Sequence, residues 1–170
     1  LGEQRWGLLT DVRRLDKRIL RQTVQRFVAL AGPVKYSAPP DCPVPRLIVA
    51  NDEIRRTMDG FSIDDVQGKV LVLCPGAEYG PAKRWPVRHY AFLANDRVRH
   101  GWKVWLLGSP NDQEVCQLIN EETGGHCRNY AGKTSLSEAI TLMSVADAVV
   151  SNDSGLMHIA AALDRNLVAL

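Results

Sequence analysis

The sequence predicts an α/β protein built on a Rossmann-like, doubly wound parallel sheet. From Val70 onward, short apolar runs alternate with segments of helical periodicity, the rhythm of strand–helix–strand units. Val70-Leu71-Val72-Leu73 and Ala148-Val149-Val150 are continuously apolar, as strands are when helices cover both faces of a sheet. Between the first of these runs and a helical segment lies the loop Cys74-Pro75-Gly76-Ala77-Glu78-Tyr79-Gly80-Pro81-Ala82-Lys83-Arg84-Trp85-Pro86. A strand, a loop of small residues and a helix start together make a seat for phosphate, because free N–H groups and the peptide dipoles of the first turn favour negative charge.

The elements follow in order. Periodicity predicts a helix over Ile19–Leu30, with Leu20, Val24, Phe27 and Val28 on one face. Residues 33–45 hold Pro33, Pro39, Pro40, Pro43 and Pro45, five of the nine prolines, and read as an extended connection. Leu47-Ile48-Val49 is strand-like, and Asp52 to Met58 is helical. Phe61 to Lys69 changes composition and reads as a boundary, dividing the chain into 1–65 and 66–170. In the second region strands are expected at 70–74, 103–107, 126–130, 147–151 and 167–170, with helices at 86–99, 111–122, 135–144 and 155–163. Ser135-Leu136-Ser137-Glu138 is a capping-box pattern that opens the third of these helices.

Composition narrows the function classes. The 170 residues suffice for one domain, or one domain and part of another. A net charge of +2 gives no footprint for a nucleic-acid partner. The basic residues of the first thirty positions read as a solvated helix face. Cys42, Cys74, Cys116 and Cys127 form no Cys-x-x-Cys pair and no zinc-type spacing, so no metal is expected. Cys74 and Cys116 read as small core residues with reduced thiols, as in a cytosolic protein. No apolar run approaches the roughly 18 residues of a membrane span. Leu1 at the start and Asn166-Leu167-Val168-Ala169-Leu170 at the end, a strand-like run, suggest a piece of a longer protein.

In an open parallel sheet ligands bind beyond the C-terminal ends of the strands. Three loops are therefore expected on one edge: Pro75–Pro86, Gly108–Asp112 and Ser151–His158. Lys83 and Arg84 stand where the helix dipole repels cations, a conflict that a bound anion would remove. The plain alternative for Lys83 is a solvated lysine. Glu78 would be repelled by a diphosphate, and so faces hydroxyls or pairs with Arg84. In the third loop Asp153 and Ser154 can cap free N–H groups, Gly155 admits a ligand close to the backbone, and His158 lies one turn into the helix. Ordinary helix-start chemistry with a core histidine is the alternative there. Asp112 is either a dipole-favoured acid or a ribose ligand. No P-loop, nucleophile elbow or Gly-x-Gly-x-x-Gly follows a strand.

Cys74–Pro86, followed by Ser151-Asn152-Asp153-Ser154-Gly155-Leu156-Met157-His158-Ile159-Ala160-Ala161-Ala162-Leu163, resembles the lipopolysaccharide heptosyltransferases, glycosyltransferase family 9. The opening Leu1–Lys17 is similar to the same family. Glu78-Tyr79 stands where the type I branch carries two threonines, so the type II branch is the nearer. The resemblance implies a GT-B enzyme of two Rossmann-like domains, with 66–170 in the C-terminal, donor-binding one and 1–65 ending the acceptor domain. It implies inverting transfer of L-glycero-D-manno-heptose from ADP-heptose to the first heptose of the inner core on lipid A. ADP-heptose is then a substrate, and no cofactor is implied. The implied enzyme is a cytoplasmic monomer with peripheral contact at the inner membrane. Lys83 matches the lysine that offsets charge on departing ADP. Asp153, Ser154, Gly155 and His158 match the donor loop, and Glu78, Tyr79, Asp112 and Thr134 line the nucleotide side. The family's general base falls in an N-terminal region outside this chain. Another GT-B transferase, a sugar-nucleotide epimerase or a non-catalytic nucleotide-binding module are the competing readings. The cationic pair at a helix start argues against the last.

Overall fold

Five strands pair in one parallel sheet: β1 (Val70–Cys74), β2 (Lys103–Leu106), β3 (Arg128–Asn129), β4 (Ala148–Ser151) and β5 (Asn166–Ala169), in the order β3-β2-β1-β4-β5. This is a computed structural model, and it describes residues 10–33, 35–64, 67–77 and 84–170. Contacts divide the chain into two units, Leu1–Val44 and Pro45–Leu170.

The continuous apolar runs become the central strands because both faces are covered. Leu71, Leu73, Val104, Leu106 and Val150 point to one side, where they meet Tyr90 and Ala94 of α3 (Val87–Arg99) and Cys116 and Ile119 of α4 (Gln113–Glu122). Val70, Val72, Trp105 and Val149 point to the other, against Leu142 and Met143 of α5 (Leu136–Ser144) and Ala160 of α6 (Gly155–Ala162). The register pairs Leu71 with Val104 on one side and with Ala148 on the other. Asp147 starts β4 by accepting the Val70 N–H at 2.8 Å, which ties the entries of the two central strands together.

Three expectations change. Leu47–Val49 is not a strand. Leu47 donates a single backbone bond to Ala162, and the side chain of Ile48 is 93% exposed, so no ladder forms after the prolines. The helix α2 (Asn51–Gly60) packs in the sheet unit, although composition changes only after it. Met58 and Phe61 join the core beneath α5, and Glu53 accepts bonds from Ser137 (2.7 Å) and Thr141 (3.4 Å). Packing therefore separates the units at Pro45. In the first unit α1 spans only Thr23–Leu30. Gln25 accepts the Gln22 N–H at 2.9 Å, which sets the start there, and residues 17–19 form a separate turn. Of its expected apolar face Leu20 is buried, whereas Phe27 is 69% exposed.

Ser135 opens α5 as its sequence suggests: Glu138 accepts its N–H and its hydroxyl, each at 2.7 Å. These bonds hold the Glu138 carboxyl below its ordinary range. Stabilisation of that sign is present above the unfolded carboxylate value of about 4.3 and disappears as pH falls through the lower folded value. Glu138→Gln should thus lower the melting temperature near neutrality by more than it does near pH 3, as thermal melts across pH will measure.

Cys74, Cys116 and Cys127 are buried. Burial, with the Asp112 carboxylate adding to it, pushes the Cys116 thiol up to about 12. Burial raises Cys74 further and Cys127 in the same direction. Since the thiolate is the nucleophile, an aromatic disulfide reagent should titrate half-buried Cys42 alone in the native chain and all four thiols after denaturation.

Candidate functional site

The strand order reverses between β1 and β4, since the chain moves outward through β2 and β3 and then returns to the far side of β1. Crossover helices leave in opposite directions there, and the crevice at the C-terminal ends is the expected ligand site of such a sheet. The described parts of the three expected loops do meet at this edge. Asn152, just beyond β4, is fully buried and bonds to Pro75 O at 2.7 Å. Arg84 and Asp112 approach to 3.9 Å across the ends of β1 and β2. Glu78, Tyr79 and Lys83 lie outside the described residues.

Four helices begin at this edge, and their first turns differ. Glu138 serves the N-terminus of α5. At the entry to α4, Asp112 closes a 3-10 turn (Pro110–Asp112) and accepts the Ser109 N–H (2.9 Å) and hydroxyl (2.7 Å). By contrast α3, entered through Pro86, and α6, entered through Ser154, have no side-chain cap and no acidic residue in the first turn. These two flank the crevice. Asp153 stands just ahead of Ser154, outside the first turn of α6, and the positive dipole ends of both helices point to this edge.

Packing around the crevice is close. A Cβ on Gly76 would lie 2.4 Å from the Asp112 carboxyl carbon, and one on Gly108 would lie 2.8 Å from Asp112 Cβ. Both glycines therefore make room for Asp112, which is tucked between the first two loops. Gly132 has φ +67, its N–H donates to Gly108 O, and a Cβ there would meet Gln113 Nε2 at 2.3 Å. Thr134 follows in this loop beyond β3 and is half-buried. Gly155 is the opposite case: a Cβ there would meet none of the described residues within 4 Å. Its glycine leaves open space at the first residue of α6.

The remaining expected residues fall as follows. Ser154 is the N-cap of α6, but its hydroxyl faces Ser151 Oγ at 3.3 Å instead of closing the helix. Asp153 is exposed. His158 is exposed, not a core histidine. Arg84 donates to Ala77 O at 3.4 Å, and its buried Nε has no hydrogen-bond partner among the described residues. Asp112, rather than a helix dipole alone, is what Arg84 meets. Among the described residues no three His, Cys, Asp or Glu side chains gather as a metal cluster would require. Asn152 is the residue that sequence reasoning passed over. Its only signal was a polar side chain directly after an apolar strand, which an ordinary turn would also explain.

A family profile described as glycosyltransferase family 9 (heptosyltransferase) matches residues 1–170. Lipopolysaccharide heptosyltransferase 2 of Escherichia coli K12 is 44% identical over 178 aligned residues, 99% of this chain and 51% of that protein. The solved E. coli ADP-heptose LPS heptosyltransferase II superposes with a TM-score of 0.82 at 43% identity, over 99% of this chain and 53% of that one. E. coli heptosyltransferase WaaC with ADP superposes with a TM-score of 0.52 at 28% identity, over 59% of this chain and 33% of that one. The chain thus spans about half the length of the curated relatives it matches. With a family match along its whole length and a parallel sheet that superposes on a solved member, the chain belongs to glycosyltransferase family 9, the heptosyltransferases.

Proposed function

We propose that this chain carries the donor-binding part of a GT-B enzyme that transfers L-glycero-D-manno-heptose from ADP-heptose to the first heptose of the lipopolysaccharide inner core, with inversion. The observation that carries the reading is the pair of helices, α3 and α6, that flank the β1/β4 crevice with no side-chain cap and no acid in the first turn. A diphosphate between them meets the positive ends of both helix dipoles. The name of the E. coli relative, an ADP-heptose LPS heptosyltransferase, supports the choice of nucleotide and sugar. In the transfer the acceptor hydroxyl gives its proton to a general base and attacks the anomeric carbon, the bond from that carbon to the phosphate oxygen breaks, and ADP leaves with the electron pair.

Lys83 is assigned to offset the charge that develops on departing ADP. Asp153, Ser154, Gly155 and His158 are assigned to the diphosphate and sugar, and Asp112 and Thr134, with Glu78 and Tyr79, to the nucleoside side. Asp112 takes both Ser109 bonds on Oδ2, and among the described residues Oδ1 accepts no hydrogen bond, which suits it to ribose hydroxyls. Among the described residues no helix is long and apolar enough to cross a membrane. Work on a lipid-anchored acceptor is then assigned to a monomer acting at the cytoplasmic face of the inner membrane through peripheral contact.

Two substitutions test the site. Lys83→Ala in the full-length enzyme should cost about 3 kcal/mol, roughly a hundredfold in turnover, because a preorganised charge on a leaving group is lost. Lys133→Ala should stay near the parent rate: Lys133 is exposed, its ammonium donates to Asn129 O at 3.0 Å, and it carries no assigned role. Steady-state rates with ADP-heptose decide; small and equal effects from both would sink the assignment. Gly155→Ala separates fold from ligand. The new methyl meets none of the described residues within 4 Å, and alanine is the better helix former. The melting temperature should hold or rise while ADP affinity, measured by calorimetry, falls. An unchanged affinity would place the diphosphate elsewhere.

A further inference from the structure

We propose that Asn152 is a positioning residue whose buried side chain locks both ends of the β1–α3 loop to the end of β4, and so sets the shape of the donor crevice. Its ligand side rests on the function proposed above; its mechanical side does not. An asparagine amide offers two N–H donors and an oxygen with two lone pairs. Here all are engaged. Nδ2 donates to Pro75 O at 2.7 Å, with Gly76 O at 3.5 Å, at the start of the loop. Oδ1 accepts the Trp85 N–H at 3.2 Å and the Tyr90 hydroxyl at 3.0 Å, at the loop's end and in α3. The Asn152 N–H adds a bond to Cys74 O at 3.2 Å.

Three features make this a lock and not a ligand site. The residue has no exposed surface and no spare hydrogen-bonding capacity, so a nucleotide cannot reach or use it. Its partners lie 62 to 77 residues away in sequence, so one side chain joins segments that nothing local brings together. The groups it pins are the flanks of the crevice: Gly76, packed on Asp112, and Trp85, whose ring lies edge-on to Tyr90 at 5.0 Å. The orientation of the amide is unambiguous, since only Nδ2 can donate to two carbonyls and only Oδ1 can accept from Trp85.

The test compares Asn152→Asp and Tyr90→Phe with the unaltered 170-residue chain, by amide hydrogen exchange and by ADP calorimetry. Aspartate nearly preserves shape but turns an oxygen toward the Pro75 and Gly76 carbonyls. Exchange at the Trp85 amide should accelerate about tenfold or more and ADP affinity should fall about tenfold. The Leu107 amide, which donates to Leu73 within the sheet, should keep its protection. Tyr90→Phe removes one of the Oδ1 bonds and keeps the ring contact, so it should give smaller changes of the same kind in a folded protein, even if Asn152→Asp does not fold. Protection lost equally at Trp85 and Leu107 in both variants means a merely structural role and overturns the proposal. So does unchanged exchange and affinity in Tyr90→Phe together with a folded Asn152→Asp. If the unaltered chain shows no ADP affinity, the proposed function fails, and exchange at Trp85 alone decides the lock.

Discussion

Where a parallel sheet is buried on both faces, as along β1, no strand side chain is free for chemistry. Val70, Leu71, Val72 and Leu73 point alternately into two separate apolar layers and are all buried. Replacing any of them with a polar group would bury an unsatisfied atom. Polar function is therefore confined to the strand ends. Because every strand runs the same way, the loops that follow them gather at one edge. The reversal of order at β1 and β4 then decides which two loops face each other. Asn152 is the first residue past β4 to turn a polar side chain inward, and it does so only because it is saturated by partners. Buried polar groups satisfied in this way specify a unique arrangement more than they add net stability.

Close backbone approach supplies the second layer of definition. Asp112 sits where side chains on Gly76 and Gly108 would stand, and its capping of Ser109 fixes it there. The 3.9 Å contact with Arg84 is long and partly solvated, with the Arg84 side chain 35% exposed. Ion pairs of that kind contribute between nothing and about 1 kcal/mol. Asp112 is thus held by its hydrogen bonds, and Arg84 can exchange it for another anion at small cost. Glycine plays the reverse role at Gly155, where none of the described residues would crowd a side chain. Gly76 is explained by a protein contact; Gly155 is explained by a space.

Much of the sheet was legible because its signals are strong and local. Continuous apolar runs of four residues can be read without tertiary information, as can the Ser135–Glu138 capping box, and both stand where expected. Leu47–Val49 was not readable, since apolar character there reflects burial of Val49 against the core and not pairing. The placement of α2 depends on Glu53 reaching Ser137, a contact across 84 residues that no local pattern encodes. The candidate site was legible as a set of loops. Its internal order was not, because the inward turn of Asn152 and the seat of Asp112 are properties of packing between loops.

The distribution of charge among the four helix entries reads as a division of labour. Free N–H groups in a first turn must be satisfied by a side chain, water or ligand. At α5 and at the α4 entry the protein uses its own carboxylates, Glu138 and Asp112. Such a carboxylate already neutralises the dipole, and a phosphate placed there would be repelled. At α3 and α6 the first turn carries no acid, and Ser154 turns its hydroxyl toward Ser151. An anion entering this edge meets carboxylates in the capping bonds of two helices, and uncapped first turns at the two that border the order reversal. Topology and helix capping point to the same crevice: the first through the order of the strands, the second through which first turns carry neither a side-chain cap nor an acid.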